Sequence, residues 1–541
     1  MAGKSGNQKL IEQLLADGFK YMFGNPGTVE QGFLDALKDY PSMRYILTLQ
    51  ESVAVMTADG YARATKQPAL VQIHSSPGLG NAIGALYQAK RGHAPLVVIG
   101  GDAGISYMDM EAQMYADLVA MAEPATKWST MVKDRHSLLR IIRRAVKVAT
   151  TPPMGPVYVC LPADILDQPN DEEVFPSCRL NMNNMPDETG LEEAAKYLCA
   201  AKNPRFFIGD GIAYAGAQQE ITDLAEFFGA SVWGVDAGEM NMDATNPCYR
   251  GQTGHMFGTS SHPITEGGDV VLICGTYMLP EVFPELGEIY NKDAKVIHID
   301  WDTDAIAKNH RVDIGLVGNP RLALKRLHEL AQQEAGDEDL IRMKERRDAL
   351  TTVKSDISSY SETAIAFFEE LKKLEPDPII FDEALTGSPL LGAFYPCKTQ
   401  GRFFQTRGGS LGVGITGAMG VQLAFPDDKV IGVAGDGGTM YVIQGLWTAA
   451  REHIPAKFVI MSNHSYGLLK QNIKQYWNVH NEEAHEMPVG FGLEGPDIDF
   501  AALARAHGVD SMKVTTVEEA KKAAHMLSES KGAFLVDLEM R

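Results

Sequence analysis

The chain is poor in cysteine. Its 541 residues include six, Cys160, Cys178, Cys199, Cys248, Cys274 and Cys397, and no two stand in a CxxC spacing. Disulfide frameworks and thiolate metal sites need closer, paired thiols, so free cysteines in a reducing cytoplasm are expected. No run approaches the roughly 18 uninterrupted apolar residues of a membrane helix. The first apolar stretch is broken by Glu12, Gln13 and Asp17 and reads as an amphipathic helix, not a secretion signal. Basic residues are outnumbered, 49 Lys and Arg against 70 Asp and Glu, for a formal net charge of −21. An acidic mean field disfavours nucleic acid and anionic membrane as partners. It also requires any anionic ligand to be held by local dipoles and metal. There is no low-complexity tract and no repeat at a period of roughly 20–50 residues.

What is present is ordinary globular material, 45% hydrophobic and 22% charged, in a chain too long for one hydrophobic core. Three segments alternate short apolar strands with longer amphipathic stretches. The strands include Leu96–Gly100 and Val157–Leu161 in the first segment. Arg205–Ile208, Val270–Cys274 and Val296–Asp300 lie in the second, and Val430–Ala434, Lys457–Met461 and Ala533–Asp537 in the third. Fully apolar strands interleaved with helices such as Val53–Ala64 predict an α/β protein, with doubly wound parallel sheets covered on both faces. The expected domains are residues 1–166, 190–331 and 360–541. They are joined by a Pro-, Asn- and Asp-rich linker at Asp167–Gly190 and a charged helical connector at Gln332–Tyr360.

The most informative stretch is Val430-Ile-Gly-Val-Ala-Gly-Asp-Gly-Gly-Thr439, an apolar strand running into glycines, with a helical pattern over Met440–Arg451. Gly435, Gly437 and Gly438 let backbone N–H groups approach a phosphate closely. A second strand ends in Ser462-Asn463-His464-Ser465-Tyr466-Gly467, with Asn463 placed 27 positions after Asp436. One helix and one strand fill that interval, which brings both loops to the same edge of a parallel sheet. The Asp436 carboxylate, the Asn463 amide oxygen and a loop carbonyl at Ser465 form an all-oxygen set suited to Mg2+ bridging phosphates. A lone G-D-G or a lone Asn is an ordinary turn; the strand–helix–strand context is what makes the pair specific.

Gly435-Asp436-Gly437 followed by Asn463 is similar to the thiamine diphosphate motif. The tract from Gly420-Val-Gln-Leu-Ala through Leu446-Trp-Thr-Ala-Ala to Phe458-Val-Ile-Met resembles benzoylformate decarboxylase and its relatives. Near the N-terminus, Phe23-Gly-Asn-Pro-Gly-Thr-Val-Glu30 resembles the family's first strand–turn–helix. Tyr45-Ile-Leu-Thr-Leu-Gln-Glu-Ser52 resembles the segment carrying its cofactor-activating glutamate. The resemblance implies that Glu51 bonds the cofactor's pyrimidine ring, and that His74, in Ile73-His-Ser-Ser-Pro-Gly-Leu-Gly-Asn81, relays protons. It further implies that Thr28 bonds the substrate carboxylate or carbonyl, and that Leu411, in Gly408-Gly-Ser-Leu-Gly412, forces the cofactor into a bent shape. Thr386 and Ser388 fall where the family contacts the diphosphate, and Tyr466 and Gly467 are further cofactor-binding candidates. Taken alone, Glu51 reads as a helix-start carboxylate and His74 as a polar strand end.

The match loosens in the middle. Gly275-Thr-Tyr-Met-Leu-Pro-Glu-Val282 lacks the second active-site histidine of benzoylformate decarboxylase-like enzymes, for which His255 is the available substitute. Lys470-Gln471-Asn472 and the segment Ile473–Glu494 stand where the family has bulky aromatics, implying a more polar substrate pocket or a different lid. Pro77-Gly78 resembles acetolactate synthase-type enzymes instead. The central Ile208-Gly-Asp-Gly-Ile-Ala-Tyr-Ala-Gly216 and the acidic strand end at Asp300 form a weak FAD or ADP signal, against which stands a purely structural domain.

The resemblance thus implies a thiamine diphosphate- and Mg2+-dependent lyase acting on a small-molecule 2-oxo acid or aldehyde, by decarboxylation, carboligation or both. It implies a homodimer at minimum, extending to a homotetramer. The alternatives are an acetolactate synthase-like transferase, a flavin-dependent 2-oxo acid oxidase and a non-catalytic nucleotide-binding protein.

Overall fold

A computed structural model describes residues 3–541. The chain divides into two compact units. One comprises Met1–Leu180, Ser358–Ser388 and Thr406–Arg541, and the other Asn181–Ile357 and Pro389–Gln405.

The first unit contains two parallel sheets. One is built from β1 (Tyr21–Gly24), β2 (Arg44–Leu47), β3 (Ala69–Ile73), β4 (Leu96–Asp102), β5 (Trp128–Met131) and β6 (Val157–Pro162), in the order β2-β1-β3-β4-β6-β5. The second unit holds β7 (Pro204–Ile208), β8 (Ser231–Gly234), β9 (Tyr249–Gln252), β10 (Val270–Cys274), β11 (Lys295–Asp300) and β12 (Ile314–Val317), ordered β12-β11-β10-β7-β8-β9. The other sheet of the first unit runs β13-β15-β16-β18-β17, from β13 (Ile379–Glu383), β15 (Val430–Gly435), β16 (Lys457–Ser462), β17 (Asp510–Val514) and β18 (Phe534–Glu539). The short β14 (Phe403–Gln405) belongs to the second unit, where the Gln405 N–H donates to the Gly238 carbonyl at 2.7 Å. Three doubly wound parallel sheets are the architecture expected from the apolar strand runs. Residues of β3, β4, β6, β10 and β16 are buried along their whole length, as strands covered on both faces must be.

The first sheet reverses its winding between β1 and β3. Loops leaving the carboxyl ends of strands at such a point splay apart and leave a crevice for ligand. The chain places Asn25–Glu30 and His74 at those ends, and Glu383, Asp436 and Asn463 at the carboxyl ends of β13, β15 and β16.

The helical pattern expected across Met440–Arg451 is interrupted. One short helix covers Asp436–Thr439 and another begins only at Gly445. Tight i→i+3 bonds, from Tyr441 N–H to the Gly438 carbonyl and from Val442 N–H to the Thr439 carbonyl, close the intervening turn. Val442 is thereby packed against Gly412, where any side chain would collide with it.

Candidate active site

At the carboxyl end of the first sheet, the helix Glu51–Thr65 is capped by Gln50, whose side-chain oxygen accepts the N–H groups of Ser52 and Val53. Glu51 therefore starts the helix, only 4% exposed. Its two oxygens are held separately. Asn25 Nδ2 donates to Oε1 at 3.0 Å and Asn81 Nδ2 to Oε2 at 2.9 Å.

His74 follows β3, and its Nδ1 lies 2.9 Å from Glu30 Oε2. The other Glu30 oxygen accepts the Gly101 N–H at 3.1 Å. Burial pushes the Glu30 carboxyl above its ordinary range, and the neighbouring His74 pulls the other way. The imidazole rests on the backbone of Gly27, where a methyl group would overlap it, beside the exposed Thr28. Gly78 fills the gap between Glu51 and His74: a methyl there would stand 3.1 Å from Glu51 Oε1 and 3.3 Å from His74 Cβ. Thr28, Glu51 and His74 thus share one wall.

The second cluster lies at the carboxyl ends of β13, β15 and β16. Asp436 Oδ1 accepts the Gly437 N–H at 2.8 Å, and Oδ2 accepts the His464 N–H at 2.6 Å, which joins the two glycine-rich loops directly. Burial raises the Asp436 carboxyl, and these N–H groups offset part of that rise. Asn463 Oδ1 accepts the Ser465 N–H at 2.9 Å, and the Ser465 carbonyl accepts the Gly467 N–H at 2.8 Å. The Tyr466 ring covers Gly437, and a methyl on Gly467 would lie 3.4 Å from Thr386 Oγ1. Around Gly435 the space is open. Leu411 Cβ would stand 3.7 Å from a methyl on Gly438.

Asp436, Asn463, Ser465, Tyr466, Gly467, Thr386, Leu411, Gly435, Gly437 and Gly438 are therefore brought together. Ser388 is turned aside, its hydroxyl donating to Asp382 Oδ1 at 2.9 Å. The oxygen set, the buried carboxylate and the open glycine cradle fit a hard divalent cation bridging phosphate.

Among the described residues no hydrogen bond or ion pair joins the Glu51 cluster to the Asp436 cluster. The packing explains why. Gly60 meets Gly417 and Thr57 meets Gly420, so the helices Glu51–Thr65 and Val413–Ala424 cross antiparallel, backbone against backbone. At 1.5 Å rise per residue, Glu51 and Leu411 lie roughly 22 Å apart along that pair.

Four further residues of these clusters carried no individual signal in the sequence. Asn25, Asn81 and Glu30 fall within quoted motifs, but their partners are distant in sequence. Glu383 ends β13 wholly buried, its oxygens each taking a 2.8 Å bond from the N–H groups of Gly412 and Gly414. Burial holds its carboxyl up to about 7.

In the second unit, the glycines of Gly209-Asp210-Gly211 serve packing. Gly209 N–H donates to the Cys274 carbonyl at 3.2 Å and Gly211 N–H to that of Gly275 at 2.9 Å. Those donors are already used, and Asp210 accepts the N–H groups of Gly238 and Glu239. The acidic strand end, Asp300, is buried and accepts the Asp302 N–H at 2.8 Å. These residues do not fit a nucleotide phosphate and ribose. His255 is exposed in this unit.

Comparison with known proteins agrees with the geometry. Three family models match: the thiamine pyrophosphate enzyme N-terminal TPP binding domain over residues 4–121, the central domain over 191–327 and the C-terminal TPP binding domain over 387–538. A benzoylformate decarboxylase of Pseudomonas aeruginosa is 31% identical over 96% of this chain and 96% of its own length. An acetolactate synthase large subunit of Escherichia coli is 29% identical over 95% of this chain and 90% of its own length. The solved structure of a thiamine diphosphate-dependent 4-hydroxybenzoylformate decarboxylase of Rhodococcus jostii is 27% identical, with a TM-score of 0.85 and 99% of each chain covered.

Proposed function

This chain belongs to the thiamine diphosphate enzyme family, and we propose that it is a Mg2+-dependent lyase acting on 2-oxo acids. Its products are an aldehyde, a 2-hydroxy ketone or both. The observation that carries the reading is the meeting of two loops from different strands, with Asp436 bonded to the backbone that follows Asn463.

Asp436, the Asn463 amide oxygen and the Ser465 carbonyl would hold Mg2+. Backbone N–H groups of Gly435, Gly437 and Gly438, with Thr386, Tyr466 and Gly467, would line the diphosphate, and Leu411 would support the cofactor between its rings. Ser388 reaches it only if its hydroxyl leaves Asp382. When bound, the cofactor supplies a nucleophilic carbon and an electron sink for the pair released with CO2.

Glu51, oriented by Asn25 and Asn81, bonds the pyrimidine nitrogen and so makes the cofactor's amino group basic. Thr28 binds the substrate carboxylate. His74 would move a proton at the substrate's carbonyl oxygen, and Glu30 fixes its ring in the manner of a carboxylate behind a catalytic imidazole.

A small cleft beside Val29 and Ser75 has a mixed lining that includes Asp102, Tyr107, Met108, Gln113 and Met114. Lys470, Gln471 and Asn472, where the family has bulky aromatics, support a substrate with a polar side chain. Acetolactate synthase-like carboligation is the second reading, favoured by the similarity to the Escherichia coli enzyme. The separation of the Glu51 and Asp436 clusters supports a homodimer as the smallest active unit, with a tetramer as its extension. We retain 1–166, 190–331 and 360–541 as the functional domains.

The test is a panel of 2-oxo acids assayed for CO2 release, with products identified by mass spectrometry. Release requiring both thiamine diphosphate and Mg2+ is expected, faster with polar than with phenyl side chains. No CO2 from any member would overturn the reading.

A further inference from the structure

We propose that His464 is a positioning residue that locks the two metal-holding loops together. The inference rests on the reading of Asp436 and Asn463 as metal ligands. His464 occupies a left-handed backbone conformation at φ +54°, which glycine adopts freely and other residues only at a cost. The chain nevertheless places a large side chain there, between Asn463 and Ser465, the two loop residues read as metal ligands.

The residue is 5% exposed, and a carboxylate faces each ring nitrogen. Nε2 lies 2.8 Å from Glu539 Oε2, in the last strand, and Nδ1 lies 3.4 Å from Asp497 Oδ1. Its carbonyl accepts the Leu493 N–H at 2.9 Å. Three contacts thereby hold the residue, and the fourth is the one that matters to the site: the backbone N–H on Asp436 Oδ2 at 2.6 Å.

Left to itself, a free carboxylate between glycines samples several rotamers, most of them aimed away from Asn463. The His464 N–H selects the rotamer that leaves the carboxylate facing the neighbouring loop. Glu539 and Asp497 hold the imidazole, and the imidazole keeps the N–H in place. Groups of this kind, one bond removed from the metal ligand, govern metal affinity by orienting the ligand.

His464→Gly separates the two roles of the residue, because it keeps the N–H and suits the left-handed backbone while removing the side-chain anchor. The measurement is Mn2+ affinity by electron paramagnetic resonance in the presence of thiamine diphosphate, alongside the thermal midpoint of the cofactor-free protein. For His464→Gly we expect Mn2+ binding weakened about tenfold, with the cofactor-free midpoint unchanged or raised. Glu539→Gln, which keeps the shape and removes the charge, is expected to give a smaller loss in the same direction.

Affinity within twofold of wild type in both variants would overturn the proposal. So would a fall in the midpoint that accounts for the loss, since it would make the residue merely structural. Asp436→Asn is the control. If wild type and Asp436→Asn bind Mn2+ alike, the metal reading itself is wrong and this inference falls with it.

Discussion

Two buried carboxylates illustrate what a single residue owes to its surroundings. Glu51 and Asp300 both sit at the end of a regular element, and each reads from the sequence as a candidate ligand group. Glu51 is held by two amide donors, Asn25 and Asn81, and presents its carboxylate beside His74 and Gly78. Asp300 folds back onto the Asp302 N–H within its own turn. Position along the strand is legible in the sequence; the direction of a side chain's hydrogen bonds is not, because the partners come from anywhere in the chain. Burial raises Asp300 from an ordinary value of 3.8 to about 7. The folded state therefore keeps a proton between those pH values that the unfolded state has released. Stability is greatest below the lower value and is lost as pH rises through the upper one, a cost of about 4 kcal/mol at pH 8. Asp300→Asn keeps an acceptor for Asp302 and never ionises. Its thermal midpoint is expected to exceed that of wild type at pH 8 and to converge with it near pH 4. Parallel curves across that range would show that Asp300 is not desolvated.

Elements were legible in proportion to their length and apolarity. The strands ending at Asp102, Gly435 and Ser462 stand out as unbroken apolar runs. The four-residue strands Tyr21–Gly24, Arg44–Leu47 and Trp128–Met131 are too brief to show a period. The broken helix at 440–444 was missed because its apolar pattern continues through a turn that only the contact of Val442 with Gly412 imposes. The largest element-scale feature left no periodic signal at all. On the helix Val413–Ala424, Gly414 and Gly417 face Glu383 and Phe381 of the sheet, while Gly420 faces the other helix. Gly420 and Gly60 let the helix lie against the helix Glu51–Thr65 so closely that a methyl on Gly420 would overlap the Thr57 carbonyl. This contact sets the distance between the Glu51 and Leu411 clusters. Gly420→Ala is expected to destabilise the protein by roughly 1–3 kcal/mol through overpacking, despite the higher helix propensity of alanine. Gly80→Ala, in the helix Ser75–Arg91 with nothing near the added methyl, is the matched control and is expected to be neutral or stabilising. Equal thermal midpoints for the two variants would mean that the helices separate without cost.

For the whole molecule, the antiparallel crossing has a functional consequence. Glu51 and Leu411 of one chain lie roughly 22 Å apart along the helices, with no hydrogen bond or ion pair between their clusters among the described residues. On the proposed reading, a single cofactor touching both takes them from different chains, in a two-fold dimer that forms two equivalent sites. The assignment can be tested without a structure of the assembly. Glu51→Gln removes the activating carboxylate, Asp436→Ala removes the metal ligand, and each variant alone is expected to be inactive. After unfolding and refolding the two together, half the dimers are mixed. In a mixed dimer one site carries both substitutions, and the other carries neither, so about a quarter of wild-type activity should return. If each site were built within one chain, every site would carry a substitution and none would return. Recovery in the mixture, set against inactivity of each variant refolded alone, decides between the two arrangements.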